Sequence, residues 1–422
     1  MKRLYPFLLL LSLVSALASG AERVRPEEVG LSSERLSRLS EFARAETEKG
    51  RIAGAVSLVA RRGHVVYFEV VGKADIEEGR AMREDSIFRI ASMTKPIVSL
   101  AVMMLHEEGR FLLDDPISRF IPELGKLRVA VVPEGEAVSP EALETVPAAR
   151  EITIHDLLTH RSGFTYGFIN QGPVGELYRR ARLLESSTTE ELVRRLADLP
   201  LVHQPGTTFE YSHSTDVLGR LVEVVSGQRL DRFLEERILL PLGMKDTKFY
   251  LSAEEAERLV TLYQRGPVAD ASPLKPLDGG RESRLVITEG GPKTWFSGGG
   301  GLVSTAADYY RFLQMLLNGG ELEGARLVSR KTVELMTKDH VGKEIPIYPG
   351  YGFGLGFAVR QDLGKGRSLG SEGDYTWGGI FNTVFWVDPK EELILIFLTN
   401  VSPYDLDQRW YVKTLVYQAI DH

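Results

Sequence analysis

A chain of 422 residues with 43% hydrophobic and 26% charged side chains has the make-up of a globular protein large enough to bury an extensive core. It contains no cysteine, which excludes disulfides, thiolate catalysis, cysteine-ligated zinc and a lipid-modified N-terminal cysteine. The formal charge of −7 becomes −9 once Lys2 and Arg3 leave with a cleaved leader (−7 − 2), and a mildly acidic surface argues against nucleic acid or anionic lipid as partner.

The chain opens with that leader. Lys2 and Arg3 precede an apolar run over residues 4–18 that ends in Ala16-Leu17-Ala18, so residues 1–21 read as a signal peptide and the mature protein as residues 22–422. The expectation is an exported protein, periplasmic or extracellular, with no membrane association after cleavage. Ser32 is placed to cap a helix whose apolar stripe is Leu36, Leu39, Phe42 and Ala43. Residues 55–60 and 65–71 alternate as strands around Arg61-Arg62-Gly63-His64, a hairpin signal. A polar loop over 75–83 leads into a short strand-like run ending at Ser92, and residues 96–109 follow as a helix apolar nearly all round, hence buried.

The middle of the chain is mostly helical, with helices over 154–159, 190–199, 216–225 and 230–239. Residues 130–150 and 266–281 read as surface insertions. Beyond Gly298-Gly299-Gly300-Gly301, helices run to Leu317 and over 329–337, and strands over 352–359, 382–387 and 393–398 precede a closing amphipathic helix over 410–420. Strands at both ends and helices between them predict an α/β (α+β) fold, with one antiparallel sheet built from residues 22–90 and 282–422 and a mostly helical part over 91–281.

Ser92 and Lys95 stand three residues apart where a helix is expected to begin, which puts both on one face of its first turn. A serine is a poor nucleophile until a base takes its proton, and a neutral lysine can be that base. Holding the amine neutral near pH 7 takes about 4–5 kcal/mol against the charged form, supplied by burial and by the positive end of the helix. Tyr211 is the candidate for a second group on the proton path. The chain holds one more Ser-x-x-Lys, Ser272 to Lys275, but it lies between prolines with no helix to fix the pair.

Ser92-Met93-Thr94-Lys95, Leu157-Leu158-Thr159-His160-Arg161-Ser162-Gly163, Tyr211-Ser212-His213 and Trp377-Gly378-Gly379 occur in that order, with a Gly299-to-Ala306 stretch in support. In these stretches the chain resembles the penicillin-recognising serine hydrolases, and most the β-lactamase-related carboxylesterases grouped as family VIII. The resemblance implies a β-lactamase/penicillin-binding-protein-like fold with a central antiparallel sheet flanked by helices. It implies Ser92 as acylated nucleophile, Lys95 as its base and Tyr211 as proton relay to the leaving group. The oxyanion hole would be the backbone N–H groups of Ser92 and Ile380, with Trp377, Gly378, Gly379, His213 and Tyr166 on the substrate. No cofactor and no metal are expected.

Two departures bear on the substrate. The wider family carries Lys-Thr-Gly or His-Thr-Gly where this chain has Trp377-Gly378-Gly379, and an indole cannot hold a carboxylate as that cation does. The wider family also tends to Tyr-x-Asn, where this chain has His213. Both changes point to small neutral esters. A β-lactamase or D-amino-acid peptidase on the same scaffold is the nearest alternative, and a non-catalytic binding or regulatory protein is another; monomer and homodimer stay open. Lys293-Thr294-Trp295 imitates Lys-Thr-Gly but lacks the glycine, and Gly366-Arg367-Ser368-Leu369-Gly370 imitates a nucleophile elbow but has no helix after it and only the terminal His422 downstream. Phe164, Trp295, Tyr375 and Phe381 join Tyr166 and Trp377 as candidate lining of an apolar pocket.

Overall fold

The computed structural model describes residues 23–133, 138–266, 273–277, 287–288, 294–346, 348–366 and 368–422. Residues 1–21, Ser272, Lys293 and most of the insertion at 266–281 lie outside these. Among the described residues no helix is long and apolar enough to cross a membrane.

Helix α1 (Ser33–Glu48) starts where Ser32 accepts the N–H of Arg35, the cap expected from sequence. Strands β1 (Gly54–Arg61) and β2 (His64–Gly72) form the hairpin. The far end of the chain adds β3 (Tyr351–Phe353), β4 (Ala358–Arg360), β5 (Tyr375–Gly378), β6 (Val384–Asp388) and β7 (Leu393–Thr399). One antiparallel sheet of seven strands results, in the order β3-β4-β5-β6-β7-β1-β2, so the two ends of the chain meet where β7 pairs with β1 from Ala55↔Thr399 to Arg61↔Leu393.

Both central strands are buried along their whole length, which explains why they read as continuous apolar runs. Ile394, Ile396 and Leu398 face one core, while Leu393, Leu395 and Phe397 face another. The second core is closed by α1 and the C-terminal helix. The first receives α2 (Thr94–Glu107), which is buried from Thr94 to Leu105 and packs on the helical region through the helix Ser214–Ser226. That region includes α3 (Ile154–Leu158) and α4 (Ser214–Ser226), and α5 (Ala306–Leu317) returns the chain to the sheet before α6 (Leu406–Tyr417) closes it.

Several boundaries differ from the sequence reading. Residues 352–359 are not one strand: Gly354 and Gly356 (φ +107°) fold the run into the β3–β4 hairpin, with Gly352 opposite Val359. The strand expected from 382 starts at Val384, because Asn382 adopts φ +61° and its amide donates to Gln408 at 2.7 Å. The closing helix begins at Leu406 rather than 410, capped by Asp405, whose side chain accepts the N–H groups of Asp407 and Gln408. The insertion at 130–150 carries a small ladder, Arg128–Val131 against Glu144–Pro147.

Candidate active site

Ser92 does not open an α-helix directly. It sits on a single 3-10 turn, Ala91–Met93, that runs into α2. Ala91 holds φ +45°, a conformation that costs a non-glycine residue energy and survives only where the surroundings impose it. Residues 302–304 impose it here. Ile90 N–H donates to Leu302 O at 3.2 Å, Leu302 N–H to Thr94 Oγ1 at 3.1 Å, and Phe88–Arg89 pairs with Val303–Ser304. From α5, the Tyr309 hydroxyl donates to Met93 O at 2.9 Å.

Lys95, in the first turn of α2, is 1% exposed. Its Nζ lies 3.2 Å from Ser92 Oγ and donates to Gly299 O at 2.7 Å. It also lies 4.5 Å from the centre of the Tyr211 ring and 5.3 Å from that of Tyr166. Burial pushes its pKa down from 10.5 to about 7, although the nearby Asp216 carboxylate pulls the other way. Near neutral pH the amine therefore keeps a free lone pair for much of the time. With one N–H on Gly299 O, that lone pair can take the Ser92 proton.

Tyr211 is half-buried, and burial pushes its phenol pKa up, against the hydrogen bonds from Ser92 and Trp377. The Trp377 indole N–H donates to its hydroxyl at 3.2 Å. Its ring is walled by His160, Tyr166 and Trp377, with centroids 4.8, 5.4 and 5.2 Å away. His160 holds the strand-like segment before α4: its carbonyl accepts Glu210 N–H at 2.8 Å, and its Nδ1 accepts Ser212 N–H at 3.3 Å. An accepting Nδ1 assigns the proton to Nε2, and burial together with Lys95 keeps His160 neutral, its pKa well below the usual imidazole value.

Strand β5 borders the turn that carries Ser92. β4 pairs with it only as far as Ala358↔Thr376, so from Trp377 onward the edge not facing β6 is unpaired. A Cβ on Gly378 would stand 2.4 Å from Arg409 Nη1, and one on Gly379 would stand 2.4 Å from Thr383 Oγ1 and 2.5 Å from Ile90 O. Both glycines are thus required by the protein's own packing, as well as leaving the edge bare. Ile380 follows, half-buried, and its N–H donates to no described residue.

Tyr166 and His213 are buried beside this group, their ring centroids 4.3 Å apart. His213 Nδ1 contacts Asp216 Oδ2 at 2.9 Å. Together with Phe168, Tyr178, Leu183 and Leu184, and with the charged Arg179, Arg182 and Glu185, they line a cleft. Trp377 is 3% exposed, so its side chain is spent on Tyr211 and its neighbours. Phe164, Tyr375 and Phe381 are at most 1% exposed and belong to the packed core, not to a pocket. Ser368 accepts from the buried Arg360, well embedded in the β3–β4–β5 side of the sheet. Among the described residues no group of three or more His, Asp or Glu is placed to hold a metal ion.

Sequence reasoning passed over Asp216. It is 3% exposed, and its Oδ1 accepts Ser297 Oγ–H at 2.7 Å and Gly299 N–H at 2.9 Å. Burial pushes its pKa up, but the His213 and Ser297 hydrogen bonds and the His213 and Lys95 charges outweigh that and leave it lowered. In sequence it reads as an acidic residue in the first turn of a helix, a common complement to the helix start that carries no distinguishing signal.

Comparison with known proteins places this arrangement. The Beta-lactamase family profile matches residues 39–418. Protein Rv1367c of Mycobacterium tuberculosis is 39% identical over 367 residues, 84% of this chain and 88% of that protein. Esterase EstB of Burkholderia gladioli is 34% identical over 366 residues, 83% of this chain and 87% of EstB. Among solved structures, EstCE1, described as a hydrolase with promiscuous acyltransferase activity, is similar with a TM-score of 0.76 at 27% identity, over 91% of this chain and 99% of that one.

Proposed function

This chain belongs to the Beta-lactamase family, and from that premise we propose that it is a serine carboxylesterase cleaving small, uncharged esters through an acyl-enzyme on Ser92. The observation that carries the reading is the buried Lys95 amine 3.2 Å from Ser92 Oγ, with its pKa brought to about 7. Neutral Lys95 takes the Ser92 proton as Oγ attacks the ester carbonyl. The oxyanion that develops is held by the N–H groups of Ser92 and Ile380, donors worth about 10²–10³-fold each. Tyr211, whose ring lies against Lys95, passes a proton to the departing alkoxide and is resupplied from the Lys95 ammonium. Water then repeats the sequence on the acyl-enzyme. The likeness to EstCE1 supports a second outcome of the same intermediate, transfer of the acyl group to a small alcohol. The basic and then apolar residues 1–21 support export.

The preference for neutral esters rests on Trp377. The position that holds a cation in the wider family is an indole here, and its N–H is already engaged with Tyr211. Measured side by side, kcat/KM for a short nitrophenyl ester is expected to exceed that for a chromogenic cephalosporin by at least about 10²-fold. A higher value on the cephalosporin would overturn the substrate assignment and favour the β-lactamase reading.

A further inference from the structure

Lys95 makes its shortest contact with Gly299 O, and nothing in α2 itself fixes where that carbonyl lies. Gly299 is held from the other side of its Cα. Its N–H donates to Asp216 Oδ1, which also takes the Ser297 hydroxyl, while Asp216 Oδ2 takes the His213 ring N–H. The fit is close: a Cβ on Gly299 would stand 2.8 Å from Asp216 Oδ2 and 2.9 Å from the Tyr166 hydroxyl. Gly299 is therefore held on both sides of its Cα: His213 and Ser297 fix Asp216, Asp216 takes the Gly299 N–H, and the Gly299 carbonyl takes Lys95 Nζ. We propose that Asp216 is a positioning residue for the Lys95 base, fixing the Gly299 carbonyl against the amine and placing one negative charge beside it. The proposal rests on the reading of Lys95 as base.

The other titratable groups around Lys95 do not supply that charge. Tyr166 and Tyr211 are phenols whose ionisation burial opposes, and His160 is neutral for the same reason. His213 donates to Asp216, and Arg409 acts on Tyr211. Asp216 is the anion whose field reaches Lys95, and it favours the protonated amine. The carboxylate thus has two opposed effects. It orients the base, and it raises the pH at which the base becomes free. His213, in turn, is tied to Asp216 rather than left open for substrate.

Asp216→Asn separates the two effects. The amide can keep all three contacts if His213 changes tautomer, so the geometry survives while the charge goes. The expected result is an acidic limb of kcat/KM moved to lower pH, with the plateau kcat lowered by no more than about tenfold. Asp216→Ala loses the geometry too, and its plateau kcat is expected to fall by about 10²-fold. Ser297→Ala keeps the charge and removes one tie, so kcat falls about threefold to tenfold with KM and the acidic limb unmoved. An Asn variant whose acidic limb coincides with that of the unaltered protein overturns the electrostatic half of the proposal. Unaltered kcat in Ser297→Ala overturns the positioning half, even if the Asn variant does not accumulate. A parent protein with no acidic limb near pH 7 would instead refute Lys95 as base, a result distinguishable from both.

Discussion

Lys95→Met is expected to lose ester hydrolysis by about 10³–10⁴-fold while melting at a higher temperature than the parent protein at pH 7. Both effects follow from one buried amine. As a base it must be neutral, and burial makes it so by lowering its pKa from 10.5 to about 7. The same shift is a cost to folding. Between pH 7 and 10.5 the unfolded chain binds the lysine proton and the folded one does not, so stability rises with pH across that window. The penalty is fully present below about 7 and vanishes above 10.5. At pH 7 it is worth up to about 4 kcal/mol, at roughly 1.4 kcal/mol per unit. Methionine fills a similar volume without the charge but leaves Gly299 O without its donor, which costs about 1–3 kcal/mol. A net gain of about 1–3 kcal/mol at pH 7 remains, a rise in Tm of about 1–4 °C for a chain of this size. The gain should disappear by pH 10. A variant less stable than the parent at pH 7 would show that Lys95 is not held neutral by burial.

Ser92→Ala is expected to lower kcat by about 10⁵–10⁶-fold, because no other group can carry the acyl chain. The hydroxyl is half-exposed and lies on a turn pinned by Leu302, Thr94 and Tyr309, so removing one oxygen leaves the fold in place. In the proposed mechanism Ser92 and Lys95 act as one unit. The double variant should therefore be no slower than Ser92→Ala alone, since the base has nothing left to activate. Additive losses in the double variant would mean that Lys95 serves some step other than activation of Ser92.

Much of this architecture can be read from local signals. The Ser32 cap, the β1–β2 hairpin and the buried α2 each follow from a few neighbouring side chains, and strand-like runs at both ends of the chain point to one sheet built from the two, without saying that β7 lies against β1. What local patterns miss is whatever depends on a partner distant in sequence. Residues 352–359 alternate like a strand, and only the glycine at φ +107° betrays the turn inside them. Asp216 looks like an acidic residue complementing a helix start. Its actual partners are Ser297 and Gly299, more than eighty residues further on. The site shows the same division. Ser92-x-x-Lys95 places a hydroxyl and an amine on one turn, but the burial that makes the amine a base comes from Tyr166, Tyr211 and the Gly299 loop. Trp377 is legible as the loss of a cation. That its N–H rests on Tyr211 is a property of the folded chain alone.

The central claim is that Ser92 is the nucleophile activated by Lys95, and covalent labelling tests it most directly. Active protein is treated with a fluorophosphonate, digested, and the modified peptide identified by mass spectrometry, with Ser92→Ala and Lys95→Met run in parallel. One adduct per chain is expected, on Ser92, formed as fluoride leaves; Ser92→Ala should take up none, and Lys95→Met should be labelled far more slowly. An adduct on any other residue, or active protein that hydrolyses esters and takes no label, would contradict it.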